Sequence, residues 1–478
     1  LSVQIVLALA TWKLQRPVKI IWSRRESLIG HAKRHPVVLR AKWGATKDGK
    51  LIAAQNEIIG DGGAYMYTTN KVLGNSAVTS TGPYFIPNVK TDVYGVYTNN
   101  VPSAAFRGFG APQALFMAES QMNKLAERLG MDPVEFRLKN ALRDGMTMGT
   151  GTPAPGPVSV PQVIEAAAKK FGWTSINKSP TITRKQAAIV RGRGFAAGFK
   201  NVGFSFGYQE NCWAKVEIHG NADIKKVIVH HAGAEVGQGT HTVMVQMAAE
   251  AIGIPAKIVT IIPSDSATQG NPGSASASRL TFMAGNAIKG AAEAALQKWK
   301  NEERPAIAEY KYLAPRTTPL DKETGYSAPN FSYAYSAEAV EVEVDTETGH
   351  IRLLRVIAAD DVGKAINPDL IMGQVEGAIV QAHGYAVTED FKTKDGRVLT
   401  DQFSTYLLPT ILDIPEKVES VIVETPDPNG PWGVRGVGEL PFLPLAPAIA
   451  AAIHDATGVW ISEFPFTPER VLKALGKI

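Results

Sequence analysis

Apolar and polar positions change period several times along the chain, which predicts helices interleaved with extended segments. Leu1 to Leu14 reads as an apolar helix that stops before Arg16-Pro17. Val18 to Trp22 is a short β-branched strand. Val37 to Trp43, the turn at Asp48-Gly49 and Leu51 to Ile59 predict a hairpin. Helices are predicted over Ala114 to Leu129, from Asp132-Pro133 to about Leu142, and over Pro161 to Phe171. Beyond Arg191 the chain is rich in glycine and aromatic residues. Strands at Ala214 to His219 and Lys226 to His230 then precede a helix at Thr240 to Ile252, a strand at Lys257 to Ile262 and a helix at Ala284 to Trp299. Val340, Val342 and Val344 alternate with Glu341, Glu343 and Asp345. The turn Thr346 to Gly349 makes Ile351 to Ala358 the return strand of a hairpin with one wet face. A helix of small residues opens near Gly373, and helices at Ala448 to Ala456 and Pro468 to Leu475 close the chain.

Gly149 to Val160 is a Gly-, Pro- and Thr-rich loop, and Asn177 to Arg184 is a polar stretch. They suggest a first lobe over 1–150, a connecting segment over 151–190 and a second lobe over 191–478. The fold class expected is mixed α+β in an elongated two-lobe arrangement, each lobe with mixed sheets and packed helices. With 478 residues, 45% hydrophobic and 20% charged, the chain can bury more than one core and is not compositionally disordered. The net charge of +5 comes from interleaved acidic and basic residues, which gives no nucleic-acid footprint. No run of eighteen apolar residues suggests a transmembrane helix. Cys212 is the only cysteine, so this chain cannot by itself build an intrachain disulfide or hold an iron–sulfur cluster on cysteines. Leu1 opens a helical pattern already under way, and we expect an N-terminal part to be missing.

Candidate chemistry gathers in glycine-punctuated loops. Glu439 stands alone after Gly433, Gly436 and Gly438, ahead of an apolar run. That setting suits a general base, although a solvated surface carboxylate fits the same residues. In Ala105-Phe-Arg-Gly-Phe-Gly110, the glycines would let backbone approach a planar ligand, with Arg107 giving charge and Phe109 an aromatic face. A tight loop before a helix is the plainer alternative. Gly237-Gln238-Gly239 feeds a helix N-terminus, where free N–H groups attract anions. Gly273 to Ser278 places small hydroxylated residues at another helix entrance, and an ordinary serine-rich cap is equally open. Gln374 and Gln381, seven residues apart, share a helix face.

Taken in order, these loops resemble the molybdenum-binding subunit of the xanthine oxidase and aldehyde oxidoreductase family. The motifs are Ala105 to Gly110 with Pro112-Gln113, Asp132-Pro-Val-Glu-Phe-Arg-Leu-Lys-Asn140, Gly237-Gln238-Gly239, Gly373-Gln-Val-Glu-Gly377 and Gly436-Val-Gly-Glu439. The resemblance implies an oxidoreductase: a molybdenum hydroxylase that oxidises an aldehyde or an N-heteroaromatic C–H with water-derived oxygen. It implies Glu439 as general base, Arg107 beside the molybdenum, and Phe109 with Phe204 against the substrate. Gly237, Gln238, Gly239, Ser274, Ala275, Ser276, Ser278 and Gln381 would line molybdopterin, expected as the cytosine dinucleotide. The pterin dithiolene would hold the metal, with no direct side-chain ligand. Electrons would pass to a 2Fe-2S subunit and an FAD subunit, in a cytoplasmic bacterial or archaeal assembly, a dimer of heteromers.

Two departures qualify the resemblance. The family's Gly-Gly-Gly-Phe-Gly-Gly-Lys loop should lie just before Leu1 and is absent from the sequence, so that lobe segment is expected upstream or on another polypeptide. Purine-oxidising members carry an arginine where Asn75 stands, ahead of Tyr84-Phe-Ile-Pro87, which weakens a purine assignment without removing it. Carbon monoxide dehydrogenases place a cysteine in the loop occupied here by Gly108 and Phe109, and Cys212 lies far from it in sequence. A catalytically silent assembly fragment is the alternative of another class.

Overall fold

A computed structural model describes residues 2–174, 188–265 and 267–478. The polar stretch at Asn177 to Arg184 lies outside the described residues. The chain opens with helices α1 (Ser2–Leu14) and α2 (Arg24–Gly30). A first sheet follows, built from strands β1 (Val37–Ala45), β2 (Leu51–Gly63) and β3 (Asn88–Tyr97), with helix α3 (Thr69–Thr79) between the last two. The β1–β2 pairing is antiparallel and β2–β3 parallel, so this sheet is mixed. Helices α4 (Ala111–Leu129) and α5 (Pro133–Asn140) pack on it, and α6 (Val160–Phe171) comes next. Asp132 caps α5 through its Oδ1, which accepts from the N–H groups of Val134 and Glu135.

The second half carries two further mixed sheets. Strand β4 (Ile189–Asn201) pairs with β9 (Tyr333–Asp345), which pairs with β10 (Ile351–Asp361). Between them in sequence lie β5 (Asn211–Gly220), β6 (Ile224–His231), α7 (Thr240–Ile252), β7 (Val259–Pro263), α8 (Leu280–Lys300) and β8 (Ala306–Leu313). These four strands form their own sheet in the order β7-β6-β5-β8, packed against α7 and α8. After β10 come α9 (Pro368–His383), a two-strand ribbon of β11 (Thr393–Lys394) and β12 (Arg397–Val398), and β13 (Lys417–Val423). β13 completes the central sheet, β13-β10-β9-β4. Helices α10 (Leu445–Thr457) and α11 (Pro468–Ala474) end the chain.

The central sheet is buried on both faces. On one side Val340, Val342 and Val356 meet α9 and α10, and on the other Phe195, Phe199 and Ala337 meet α6. The alanine-rich face of α10 lies directly on β4: a Cβ at Gly194 would fall 1.9 Å from the carbonyl oxygen of Ala448. The segment 440–457 is long and apolar enough to cross a membrane by length and composition, but 78% of it is buried inside the protein, as a core helix would be.

Several expectations are corrected. Val18 to Trp22 forms no strand, because no neighbouring strand pairs with it; Trp22 instead stacks on His31 with ring centroids 4.4 Å apart. The wet face of the β9–β10 hairpin is confined to its far end, where Glu343 pairs with Arg191 and Arg352. Nearer the centre that face carries Ala337 and Ala339, which α6 covers, while Glu338, on the opposite face with Val340, is fully buried. The return strand β10 runs past the expected end at Ala358 to Asp361.

Candidate active site

The loop before α4 takes a conformation that its glycines permit. Gly108, Phe109 and Gly110 are three consecutive residues with positive φ (92°, 49° and 89°). Only Gly visits this region routinely, and Phe109 is strained there by about 1–2 kcal/mol. Its neighbours hold the turn in place. Arg34 Nη2 donates to the Arg107 carbonyl (2.7 Å), Asn75 Nδ2 to that of Phe109 (2.8 Å) and Ser76 Oγ to that of Gly110 (3.0 Å). The turn aims the Gly108 N–H at Glu439.

Glu439 arrives from the opposite end of the chain. Its Oε1 accepts from the Gly108 N–H at 3.0 Å. Its Oε2 accepts from Ser278 Oγ at 3.2 Å and lies 3.5 Å from Lys200 Nζ. The Glu439 N–H in turn donates to Ser278 Oγ at 3.0 Å. A Cβ at Gly436 would meet the Ser278 carbonyl oxygen at 2.1 Å, so glycine lets the two loops touch. Arg107 is spent on the same region: Nε donates to the Gly438 carbonyl (2.6 Å), Nη2 to the carbonyl and Oε1 of Gln374 (3.2 and 3.3 Å), and Nη1 to Gln381 Oε1 (3.4 Å). Burial lowers the pKa of Lys200 and of Arg107, and Glu439 opposes both shifts. Burial also brings Arg34 down to about 10.

These groups border a cavity of about 1270 Å³. Arg107, Phe109, Phe204, Gln238, Ser274, Ala275, Ser276, Ser278 and Glu439 all line it. Gly237, Gly239 and Gln381 do not; Gln381 borders a second pocket of about 800 Å³ with Phe106, Glu389 and Tyr406. The expected anion site at α7 is also corrected. The Glu235 carboxylate already accepts from the N–H groups of Gly237, Gly239 and His241, at 2.8, 3.0 and 3.1 Å. Gln238 folds onto its own loop, accepting from the Val236 N–H and donating to the Ala234 carbonyl. The cavity wall still offers the hydroxyls of Ser274 and Ser276, 2.8 Å apart, and the cations Lys71 and Lys364. Asn75 Oδ1, on a residue only 2% exposed that lines the cavity, has no hydrogen-bond partner.

Sequence reading missed Lys200, Asn75's contact with Phe109 and the role of Glu235. One signal was available for Lys200: it is the lone charge in the run Phe195 to Val202, which is apolar but for Asn201.

A cavity of this volume, with an anchored carboxylate on its wall and glycine-shaped loops around it, lies among mixed α+β layers. The family model for the molybdopterin cofactor-binding domain matches residues 1–141, and a second such model matches 166–305 and 298–415. The chain is 33% identical, over its whole length, to a protein of Bacillus subtilis (strain 168) named as a probable xanthine dehydrogenase subunit. It is 33% identical over 98% of its length to the aldehyde oxidoreductase of Megalodesulfovibrio gigas. Its fold superposes on the solved aldehyde oxidoreductase from Desulfovibrio gigas with a TM-score of 0.89 at 32% identity, over 98% of this chain. The chain spans 67% of the first relative, and 52% of the second and of the solved structure. The chain belongs to the xanthine dehydrogenase and aldehyde oxidoreductase family of molybdenum oxidoreductases, as a molybdopterin-binding member.

Proposed function

We propose that this chain is the substrate- and cofactor-binding part of a hydroxylase that converts an aldehyde or an electron-poor N-heteroaromatic C–H to C–OH, with water as the oxygen source. The observation that carries this reading is the geometry of Glu439, a half-buried carboxylate with both oxygens anchored at the edge of a large cavity. The cavity's donor set fits a phosphorylated pterin: serine hydroxyls and the two lysines Lys71 and Lys364. Ser274, Ala275, Ser276 and Gln238, which line the cavity, would hold the cofactor from one side, with Arg107 and Gln381 behind it. When bound, the molybdenum cofactor supplies the oxygen-transfer and two-electron redox chemistry.

The chain's own residues do the rest. C–H plus water yields C–OH, two electrons and two protons, so a base is needed on the water side. Glu439 Oε2 already has two partners, Ser278 and Lys200, whereas Oε1 has one. Oε1 therefore keeps a lone pair and is the atom that takes the proton. Phe109 and Phe204 form walls against which a planar substrate can lie. Asn75 puts no charge on that wall, which favours neutral heteroaromatics and leaves a purine as the second reading.

The names of relatives, which include "subunit" and "molybdenum-binding subunit", support a multi-chain assembly. We further propose a 2Fe-2S and an FAD partner, a separate or upstream lobe segment, the cytosine dinucleotide form of the cofactor and a cytoplasmic setting. The test is elemental analysis of the native assembly with a substrate screen read by bleaching of the iron–sulfur absorbance. Molybdenum near one per chain, and bleaching by aldehydes or heteroaromatics, are expected. An assembly without molybdenum would leave the assembly-fragment reading standing.

A further inference from the structure

Lys200 is an unusual residue for its position. It lies at the end of β4 and is 2% exposed, in a run whose neighbours Phe199 and Val202 are buried apolar side chains. A buried ammonium is costly unless it is paired and hydrogen-bonded. Here Nζ donates to Asn201 Oδ1 at 2.6 Å and lies 3.5 Å from Glu439 Oε2. Three cations surround Glu439, but two are committed elsewhere. Arg107 is spent on Gly438, Gln374 and Gln381, and Arg34 donates to the Arg107 carbonyl while packing on the rings of Phe106, Tyr385 and Phe442. The nearby carboxylate Glu210 is taken by Arg279 at 2.6 Å and by the N–H groups of Phe204 and Ser205. Among the described residues, Lys200 is the cation that forms an ion pair with the Glu439 carboxylate itself.

We propose that Lys200 is the positioning residue of the base: with Ser278 it occupies Oε2, orients the carboxylate, and leaves Oε1 as the proton-accepting oxygen. The proposal rests on Glu439 being the base. It has a consequence for turnover. Once Oε1 carries a proton, Lys200 is left as a buried cation with no counter-charge, so the proton is readily released and the base is reset.

The test uses Lys200→Met and Lys200→Arg in the complete assembly. Lys200→Met should keep its molybdenum content and a KM within about twofold while kcat falls about tenfold to a hundredfold. Removing a cation beside an acid removes what favours its charged form, so the acid limb of the pH–rate profile should move up by about one pH unit. Lys200→Arg should recover most of kcat. A second readout needs no turnover and no Lys200 variant: competitive labelling of Lys200 with acetic anhydride, followed across pH by peptide mass spectrometry. Glu439 is what opposes the effect of burial on Lys200, so the labelling midpoint should fall in Glu439→Gln. An unchanged midpoint, or Lys200→Met with the wild-type pH profile and kcat, overturns the pairing. Full turnover in Glu439→Gln overturns the base reading instead, and the labelling midpoint then tells the two failures apart.

Discussion

Glu119 and Glu439 are both carboxylates set against a cation in the interior, and they are built for different ends. Glu119 has no exposed surface, and neither does its partner Arg137. Its Oε2 accepts from Arg137 Nε (2.9 Å) and Nη2 (2.6 Å) and from the Ala197 N–H (2.9 Å), while its Oε1 accepts from Tyr84 OH. Arg137 spends further donors on Asn123 Oδ1 and the Pro133 carbonyl, both at 2.9 Å. This cluster ties α4, α5 and β4 together and has no path to solvent. Glu439 has anchored oxygens too, but its side chain is 13% exposed beside the cavity, where the lone pair left on Oε1 can be reached. An enclosed acid paired with an enclosed cation holds elements together; an anchored acid that borders a cavity can move a proton.

The largest effect should come from Glu439→Gln, which keeps shape and removes the proton acceptor. We expect turnover to fall by about 10²- to 10⁴-fold, with molybdenum content unchanged. The amide nitrogen must also face a donor, either the Gly108 N–H or Lys200, which adds about 1 kcal/mol of instability. Steady-state kinetics normalised to bound molybdenum checks this, and near-normal kcat would remove the contrast with Glu119.

Arg137→Met should show the reverse profile. It strands Glu119 in the core, and breaking a buried pair from one side costs about 3–5 kcal/mol. The urea midpoint should drop accordingly, while kcat per folded, loaded molecule stays the same. Replacing both partners, as Arg137→Met with Glu119→Leu, should recover much of that loss. If the single variant were as stable as the parent, the enclosed cluster would not be the structural member of the comparison.

The sequence disclosed the two clusters unequally. Asp132-Pro133 marked a helix start from local chemistry alone, and α5 begins there. The helix at Thr240 to Ile252 and the β9–β10 hairpin were legible because their periodicity and turn residues are local. What joins Glu439 to Gly108 spans 331 residues, and what joins it to Ser278 spans 161, so no spacing rule could supply either contact. The α3 helix escaped notice because it carries a glycine and β-branched residues and is buried on several sides, which blurs its periodicity. At the entrance of α7 the free N–H groups inferred from the glycines are filled from within by Glu235, four residues before Gly239, a contact that the glycine pattern alone does not reveal.

A third acid cluster sharpens the comparison, because no cation pairs with it among the described residues. Glu338 and Asp360 sit on adjacent strands, with Glu338 opposite Ala358 and Asp360 opposite Ser336. Both are essentially unexposed, and none of their four carboxyl oxygens accepts a well-formed hydrogen bond. The neighbouring Asp361 is committed to Ser159 and to Arg435, 3.6 Å away. Burial therefore drives Glu338 well above the usual carboxylate range and Asp360 up to about 7; the Ser336 hydroxyl works against the latter shift and Asp361 adds to it. The sign follows from proton counting. Between pH 4 and 7 the native state keeps a proton on Asp360 that the unfolded chain has released, so stability falls progressively as pH rises across this window and levels off above it. Asp360→Asn removes that loss. The variant should match the parent near pH 4.5 and be more stable near pH 8, by about 2 kcal/mol and at most about 4 kcal/mol. Taking the difference between the two proteins at each pH cancels the opposite slope from surface carboxylates such as Glu419, which its arginine and lysine neighbours hold down at about 2. Urea midpoints at pH 4.5, 6 and 8 decide it: a difference that stays flat across that range would mean Asp360 is charged in the folded protein and has a partner after all.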